Sequence, residues 1–278
     1  MSPADRWRDQ LIQWTAPPPE QATDTPTSDG WRAHAHRFRA INRAVQGREE
    51  PLVTFLGRWW AEGATLLDVG AGGGRFALPL AERDWRVTAA EPSAGMRDVL
   101  AEAVGERGVS LDILPLRWPP PGDNLPRADV VLCANVLYDV ADLAPFVAAL
   151  DRAARQTVVV YVSLTHPIGH LADLWWKFRG WRVPDGPTYL DAAAVIFDLG
   201  IPVNATLLPV TPMLVFDDMD AAVVAYRERL GLRADPGRDA ALRAAWRSGS
   251  SREMGGWSCP TANPSGPRYG GRRTGANR

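Results

Sequence analysis

A chain of 278 residues, 46% hydrophobic and 23% charged, can bury one large core, or a core with a small lobe. Its formal net charge of −1 offers no global field to recruit nucleic acid or an acidic membrane, and no run reaches the ~18 apolar residues of a membrane span. Cys133 and Cys259 stand far apart without C-x-x-C spacing, and no signal pattern opens the chain, so the sequence predicts a cytoplasmic protein without disulfide scaffold, zinc site or membrane segment.

Residues 5–14 predict a short amphipathic helix, and 16–30 (APPPEQATDTPTSDG) a linker that cannot bury much, so 1–30 reads as a flexible N-terminal segment. Helices follow at 31–46, where Phe38, Ile41 and Val45 recur at helical spacing, and at 51–61. Leu66, Leu67 and Val69 form a short buried strand with Asp68 and Gly70 at its carboxyl end. Gly72, Gly73 and Gly74 then allow a sharp turn and close approach of a ligand to the backbone. Phe76, Leu78 and Leu80 begin a return helix, 87–90 is the second strand, and Glu91 closes it. A helix at 94–104, a strand at 109–114, a rigid Pro119-Pro120-Pro121 loop, a strand at 128–133, a helix at 143–154 and a strand at 157–164 come next. This alternation predicts an α/β fold with a doubly wound, mostly parallel, Rossmann-like sheet, preceded by N-terminal cap helices. Such a sheet binds ligands at the carboxyl ends of its strands.

The C-terminal part is irregular. Helices are expected at 168–178, 189–199 and 221–230 and a sixth strand at 203–210, while 212–216 is short for a seventh. Residues 249–278, rich in Gly, Pro and Ser, show no strand pattern and read as a disordered tail, with the final strand lost and the sixth left at an edge. The domain thus spans 31–248, its ligand-binding core about 52–166.

The unit from 65 to 96 offers a backbone cradle for a ligand's head and, in Glu91, a carboxylate for both hydroxyls of a ribose. Two ligand classes fit. A dinucleotide would set its pyrophosphate against the turn and helix N-terminus, and Gly72-x-Gly74-x-x-Ala77 satisfies that fingerprint. Asp68 would repel a pyrophosphate and favours the α-ammonium of S-adenosylmethionine. Three readings stay open: a methyl-transfer enzyme, an NAD(P)-dependent oxidoreductase and a non-catalytic nucleoside-binding protein.

The pattern Asp68-x-Gly70-x-Gly72-x-Gly74, then Glu91-Pro92-Ser93 and Met96, resembles the first two motifs of class I S-adenosylmethionine-dependent methyltransferases. The run ADVVLCANVLYDV (128–140) resembles that family's fourth strand and following loop. The resemblance implies that Asp68, Gly70, Gly72 and Gly74 hold the methionine portion and Glu91 the ribose, with Pro92 and Asn135 also beside the cofactor. Residues 114–118 would lie near the adenine, although the acidic residue usual there is missing.

Methyl transfer from a sulfonium needs mainly positioning and exclusion of water, with a general base only when the acceptor must lose a proton. The residues best placed for the acceptor are Tyr138 and Asp139, past the fourth strand, and His166, past the fifth. Each has a plainer reading: His166 beside Pro167 can close a turn, and Tyr138 and Asp139 can pack the loop or cap the next helix. Asn135 lacks the Pro-Pro-aromatic sequel of enzymes that methylate nucleic-acid amino groups, which favours a small-molecule acceptor. His34 and His36, two apart on a helix, point to different faces and make no metal pair.

Overall fold

The computed structural model describes residues 1–15, 31, 35–60, 63–122, 124–164, 169–184, 186–209, 216 and 218–247. These divide into two compact units, 1–211 and 212–278. In the first unit, β1 (Thr65–Val69), β2 (Arg86–Ala90), β3 (Asp112–Leu114), β4 (Ala128–Ala134) and β5 (Ala154–Tyr161) form one sheet of order β3-β2-β1-β4-β5, every pair parallel. The chain winds outward from β1 to β3 and then crosses to β4. The carboxyl ends of β1 and β4 therefore flank the point where the winding reverses, the place where such sheets bind ligands.

The near-continuous apolar reading of β1 and β4 follows from burial on both faces. Leu67, Val69, Val131 and Cys133 pack with Phe146, Val147 and Leu150 of α6 (Leu143–Ala153). Leu66, Val130 and Leu132 face Leu52, Val53 and Leu56 of α3 (Pro51–Trp59) and Ala77 and Leu80 of α4 (Ala77–Ala81). Ala89 of β2 packs with Leu100 and Ala103 of α5 (Ala94–Arg107).

Several boundaries differ from the sequence reading. α1 (Pro3–Thr15) is no part of a flexible segment: Trp7, Leu11 and Trp14, on one helical face, are all buried, and Trp7 joins the α6 core at 0% exposure. Its first turn is closed by Ser2 and Asp5, with the Asp5 amide donating to Ser2 Oγ at 3.1 Å and the Ser2 amide to Asp5 Oδ2 at 3.2 Å. The proline-rich stretch 16–30 lies outside the described residues. α2 (Ala35–Val45) occupies most of the predicted 31–46 helix. α5 runs on to Arg107 and ends at Gly108 in the left-handed region, and the Val109 amide bonds back to Val104 O at 3.3 Å, so β3 begins only at Asp112. β5 starts earlier than expected because Ala154 pairs with Ala128 across an irregularity.

After β5, a 3₁₀ turn (Gly169–Leu171) leads into α7 (Ala172–Arg179), and α8 (Tyr189–Asp198) follows. The sixth strand expected at 203–210 does not form among the described residues 203–209. Bracketed by Pro202 and Pro209, this segment makes no backbone ladder with β5, which is the edge strand of the described sheet. The short segment 212–216 falls almost wholly on 210–215, and the expected tail on 248–278, outside the described residues.

The second unit holds α9 (Met219–Arg229) and α10 (Pro236–Arg247), the latter unforeseen. Asp218 caps α9 by accepting the Ala221 amide at 2.8 Å. Arg227–Asp239 at 2.9 Å and Arg243–Asp220 at 2.5 Å join the two helices.

Candidate functional site

The glycine turn leaves β1 with its amides drawn toward β2: Gly70 N–H donates to Ala90 O at 2.8 Å and Ala71 N–H to the same carbonyl at 3.3 Å. Gly70 has φ +75°, and a Cβ there would stand 2.5 Å from Val136 Cγ2. The loop after β4 thus lies directly on the turn, and position 70 is glycine for two reasons, backbone and space. Gly74, at φ +88°, would drive a Cβ into Leu100 and Leu78. Gly70→Ala is therefore expected to cost about 2 kcal/mol or more, read by chemical denaturation. Adding Val136→Ala should recover only the steric part, and a single variant as stable as the parent would contradict the geometry.

Glu91 stands where β2 ends. Its Oε2 accepts the Gly72 amide and its Oε1 the Ser93 amide, each at 2.8 Å. One carboxylate therefore ties the glycine turn to the start of α5, where Ser93 is the N-cap and accepts the Met96 amide at 3.2 Å. Pro92 is exposed, and its carbonyl and that of Glu91 accept from Arg97, at 2.7 and 3.0 Å.

Asp68 shares the face of β1 that carries Leu66. It is 2% exposed, and among the described residues no donor bonds to its carboxyl. Burial, with the charge of Glu91 adding to it, pushes Asp68 from 3.8 up to about 7. A buried carboxyl beside a second carboxylate is short of a cation. Cys133, on β4, is pushed far upward by burial and then by Asp68, so its thiol stays protonated and inert.

At the end of β4, Asn135 takes φ +57° and donates its amide to Tyr161 O at 2.8 Å. A single 3₁₀ turn (Leu137–Asp139) follows. Tyr138 is buried there, and its hydroxyl donates to Ser163 O at 3.0 Å. Burial, only partly offset by that bond, pushes it up to about 12. This is the loop-packing role, a strut between the ends of β4 and β5. Asp139 is exposed, and the N-cap position of α6 belongs to Asp142, so Asp139 does not cap that helix. His166 lies outside the described residues. Beyond β3, Trp118 turns into the core and donates Nε1 to Phe146 O at 3.3 Å.

The structure therefore gathers Asp68, Gly70, Gly72, Gly74, Glu91 and Asn135 at the adjoining ends of β1, β2 and β4. It also adds residues that sequence reasoning missed. Phe38 of α2 lies 3.7 Å from the Cβ position of Gly72, and Asn42 donates Nδ2 to Gly73 O at 2.5 Å. A signal existed: Asn42, four residues after Phe38, is a polar side chain on the buried stripe of a helix. Arg75, next after the glycine turn, is engaged elsewhere. Its guanidinium pairs with both oxygens of the buried Glu50, at 3.1–3.2 Å, and lies 5.0 Å over the Phe76 ring.

Strand order, glycine turn and acidic strand ends are those of α/β domains that bind nucleosides at the switch point. Residues 67–162 match the sequence family described as methyltransferase domain. The chain is 28% identical over 224 residues to a ubiquinone biosynthesis O-methyltransferase of Paramagnetospirillum magneticum, an alignment covering 68% of this chain and 84% of that one. It is 29% identical over 146 residues to an uncharacterized protein of Haemophilus influenzae, covering 51% of this chain and about half, 53%, of that one. A solved S-adenosylmethionine-dependent methyltransferase of Aquifex aeolicus aligns at 17% identity and a TM-score of 0.47, covering 65% of this chain and 92% of that one.

Proposed function

We propose that the protein transfers a methyl group from S-adenosylmethionine to a small-molecule acceptor. The observation that carries this reading is Asp68: a buried carboxyl with no donor among the described residues, at the head of a glycine turn and beside Glu91. A cationic amino group answers that need, whereas a pyrophosphate would deepen it.

S-adenosylmethionine supplies, when bound, an electrophilic methyl group on a sulfonium. The chain's own residues bind and orient. Asp68 holds the α-ammonium, Glu91 takes the ribose hydroxyls, and Val136 and Asn135 flank the glycine turn from the β4 side. Phe38 roofs the turn and helps to exclude water. The names of the relatives support an oxygen nucleophile, which must lose its proton. Asp139, exposed in the 3₁₀ turn after β4, is the group we assign to receive it, with Tyr138 as a strut and His166 a second candidate. We place the reaction in the cytoplasm on the sequence grounds above. Among the described residues, no helix is long and apolar enough to cross a membrane.

Incubation with S-adenosylmethionine labelled in its methyl group, against a panel of small phenols and other hydroxylated aromatics, tests the proposal. Label is expected in an extractable small product, and Asp139→Asn should slow its appearance about 10²-fold or more. Label found only in protein or nucleic acid would overturn the small-molecule reading.

A further inference from the structure

Resting on the methyl-donor reading, we infer that Asn42 is a positioning residue of the cofactor site: through one buried amide, α2 sets the orientation of the Gly72–Gly73 peptide that faces the donor's amino-acid end. Asn42 is 5% exposed, and its Nδ2 donates to Gly73 O at 2.5 Å. From the opposite side, Glu91 Oε2 accepts the Gly72 amide at 2.8 Å. The dipeptide is therefore held at its first N–H and its last C=O, by two different elements.

The peptide group between those two anchors is the one left over. Among the described residues, neither Gly72 C=O nor Gly73 N–H has a hydrogen-bond partner. These are a free acceptor and a free donor on one rigid plane, a pair suited to a group bearing both an ammonium and a carboxylate. Fixing that plane is work that two glycines cannot do alone, since neither has a side chain to restrict its rotation. Close packing completes the hold. A Cβ on Gly73 would stand 3.2 Å from each of Asn42 Nδ2, Phe38 Cβ and Val99 Cγ1, so the turn sits between α2 and α5 with no slack.

α2 is itself fastened. Arg107 of α5 donates Nη2 to Asn42 O at 3.2 Å, and Arg39 pairs with Glu102 at 2.6 Å. The anchoring amide thus arrives on a helix whose place over the turn is set by α5, the helix that Glu91 also ties down through Ser93. Gly73, Asn42, Arg107 and α5 form one closed circuit around the turn.

The test compares parent, Asn42→Ala and Asn42→Asp for binding of S-adenosylmethionine, S-adenosylhomocysteine and adenosine, with thermal melting as the check on folding. Asn42→Ala is expected to weaken the first two about tenfold and to leave adenosine, which lacks the amino-acid end, unchanged. Equal losses for all three ligands, or no loss for any, would overturn the inference. If Asn42→Ala does not fold, the isosteric Asn42→Asp decides. Its carboxylate cannot donate to Gly73 O, so it should weaken the first two ligands and leave adenosine unchanged; equal losses for all three, or no loss for any, would overturn the inference. Folded parent that binds no S-adenosylmethionine would refute the methyl-donor reading itself and this inference with it, whereas a binding parent with unaffected variants refutes the inference alone.

Discussion

Asp68→Asn should make the ligand-free protein more stable at pH 8 while removing most of its affinity for S-adenosylmethionine. The stability half follows from linkage. Asp68 titrates near 7 in the folded protein against 3.8 when unperturbed, because burial and Glu91 disfavour its charge. Between those values the native protein holds a proton that the unfolded chain has given up. The contribution of Asp68 is therefore complete below about pH 4 and is lost as pH rises through about 7. Its ceiling is about 4 kcal/mol, since each tenfold change in proton affinity is about 1.4 kcal/mol. Asparagine, neutral throughout, escapes this loss, so the gain from the variant should be greatest above pH 7 and shrink toward pH 4. The binding half has the opposite sign. The ammonium of the donor favours ionised Asp68, so binding expels the proton, parent affinity should rise from pH 6 to pH 8, and the variant should lose that dependence along with about 10–100-fold in affinity. Melting curves and titrations at pH 5, 6.5 and 8 check both halves; a variant less stable than the parent at pH 8 would contradict the placement of Asp68.

Trp7→Ala should be the most destabilising single change outside the glycine turn. Trp7 is wholly buried against the α6 core, and emptying such a site costs about 3–5 kcal/mol. Its Nε1 also donates to Val140 O at 2.8 Å, so truncation removes the donor from a carbonyl in the loop after β4. A fall in melting temperature of roughly 10 °C is expected for a unit of this size. Trp7→Phe keeps most of the ring and should cost only about 1–2 kcal/mol, mainly the lost hydrogen bond. Both variants should loosen the loop that carries Asn135, Tyr138 and Asp139, which hydrogen exchange of that loop would show. Removal of residues 1–15 without loss of stability would mean that α1 is an accessory.

The legible part of this protein was local. Strand 65–69, the glycine turn and Glu91 lie within one short stretch, and each has a physical requirement visible in residue type: burial on both faces, positive φ, and a carboxylate at a strand end. The parallel sheet follows from the alternation of strands with helices in the same way. What escaped depends on distant partners. Trp7 looks like any aromatic on a short helix until Val140 and α6 are brought to it, and the proline-rich linker after it made the whole N-terminus read as flexible. Asn42 became meaningful only when α2 lay over Gly73. Tyr138 stood at the right end of the right strand for chemistry, but the Ser163 carbonyl and burial make it a strut. Residues 203–209 alternate like a strand yet lack the neighbouring ladder that a strand needs.

We propose that the buried, donor-poor carboxyl at the end of β1 marks a site for a cationic nucleoside donor. Calorimetric titration of the full chain with S-adenosylmethionine, S-adenosylhomocysteine and NAD tests it most directly. Binding of the first two at micromolar concentrations, with none of NAD, is the predicted result. Binding of NAD alone, or of nothing to demonstrably folded protein, would contradict it.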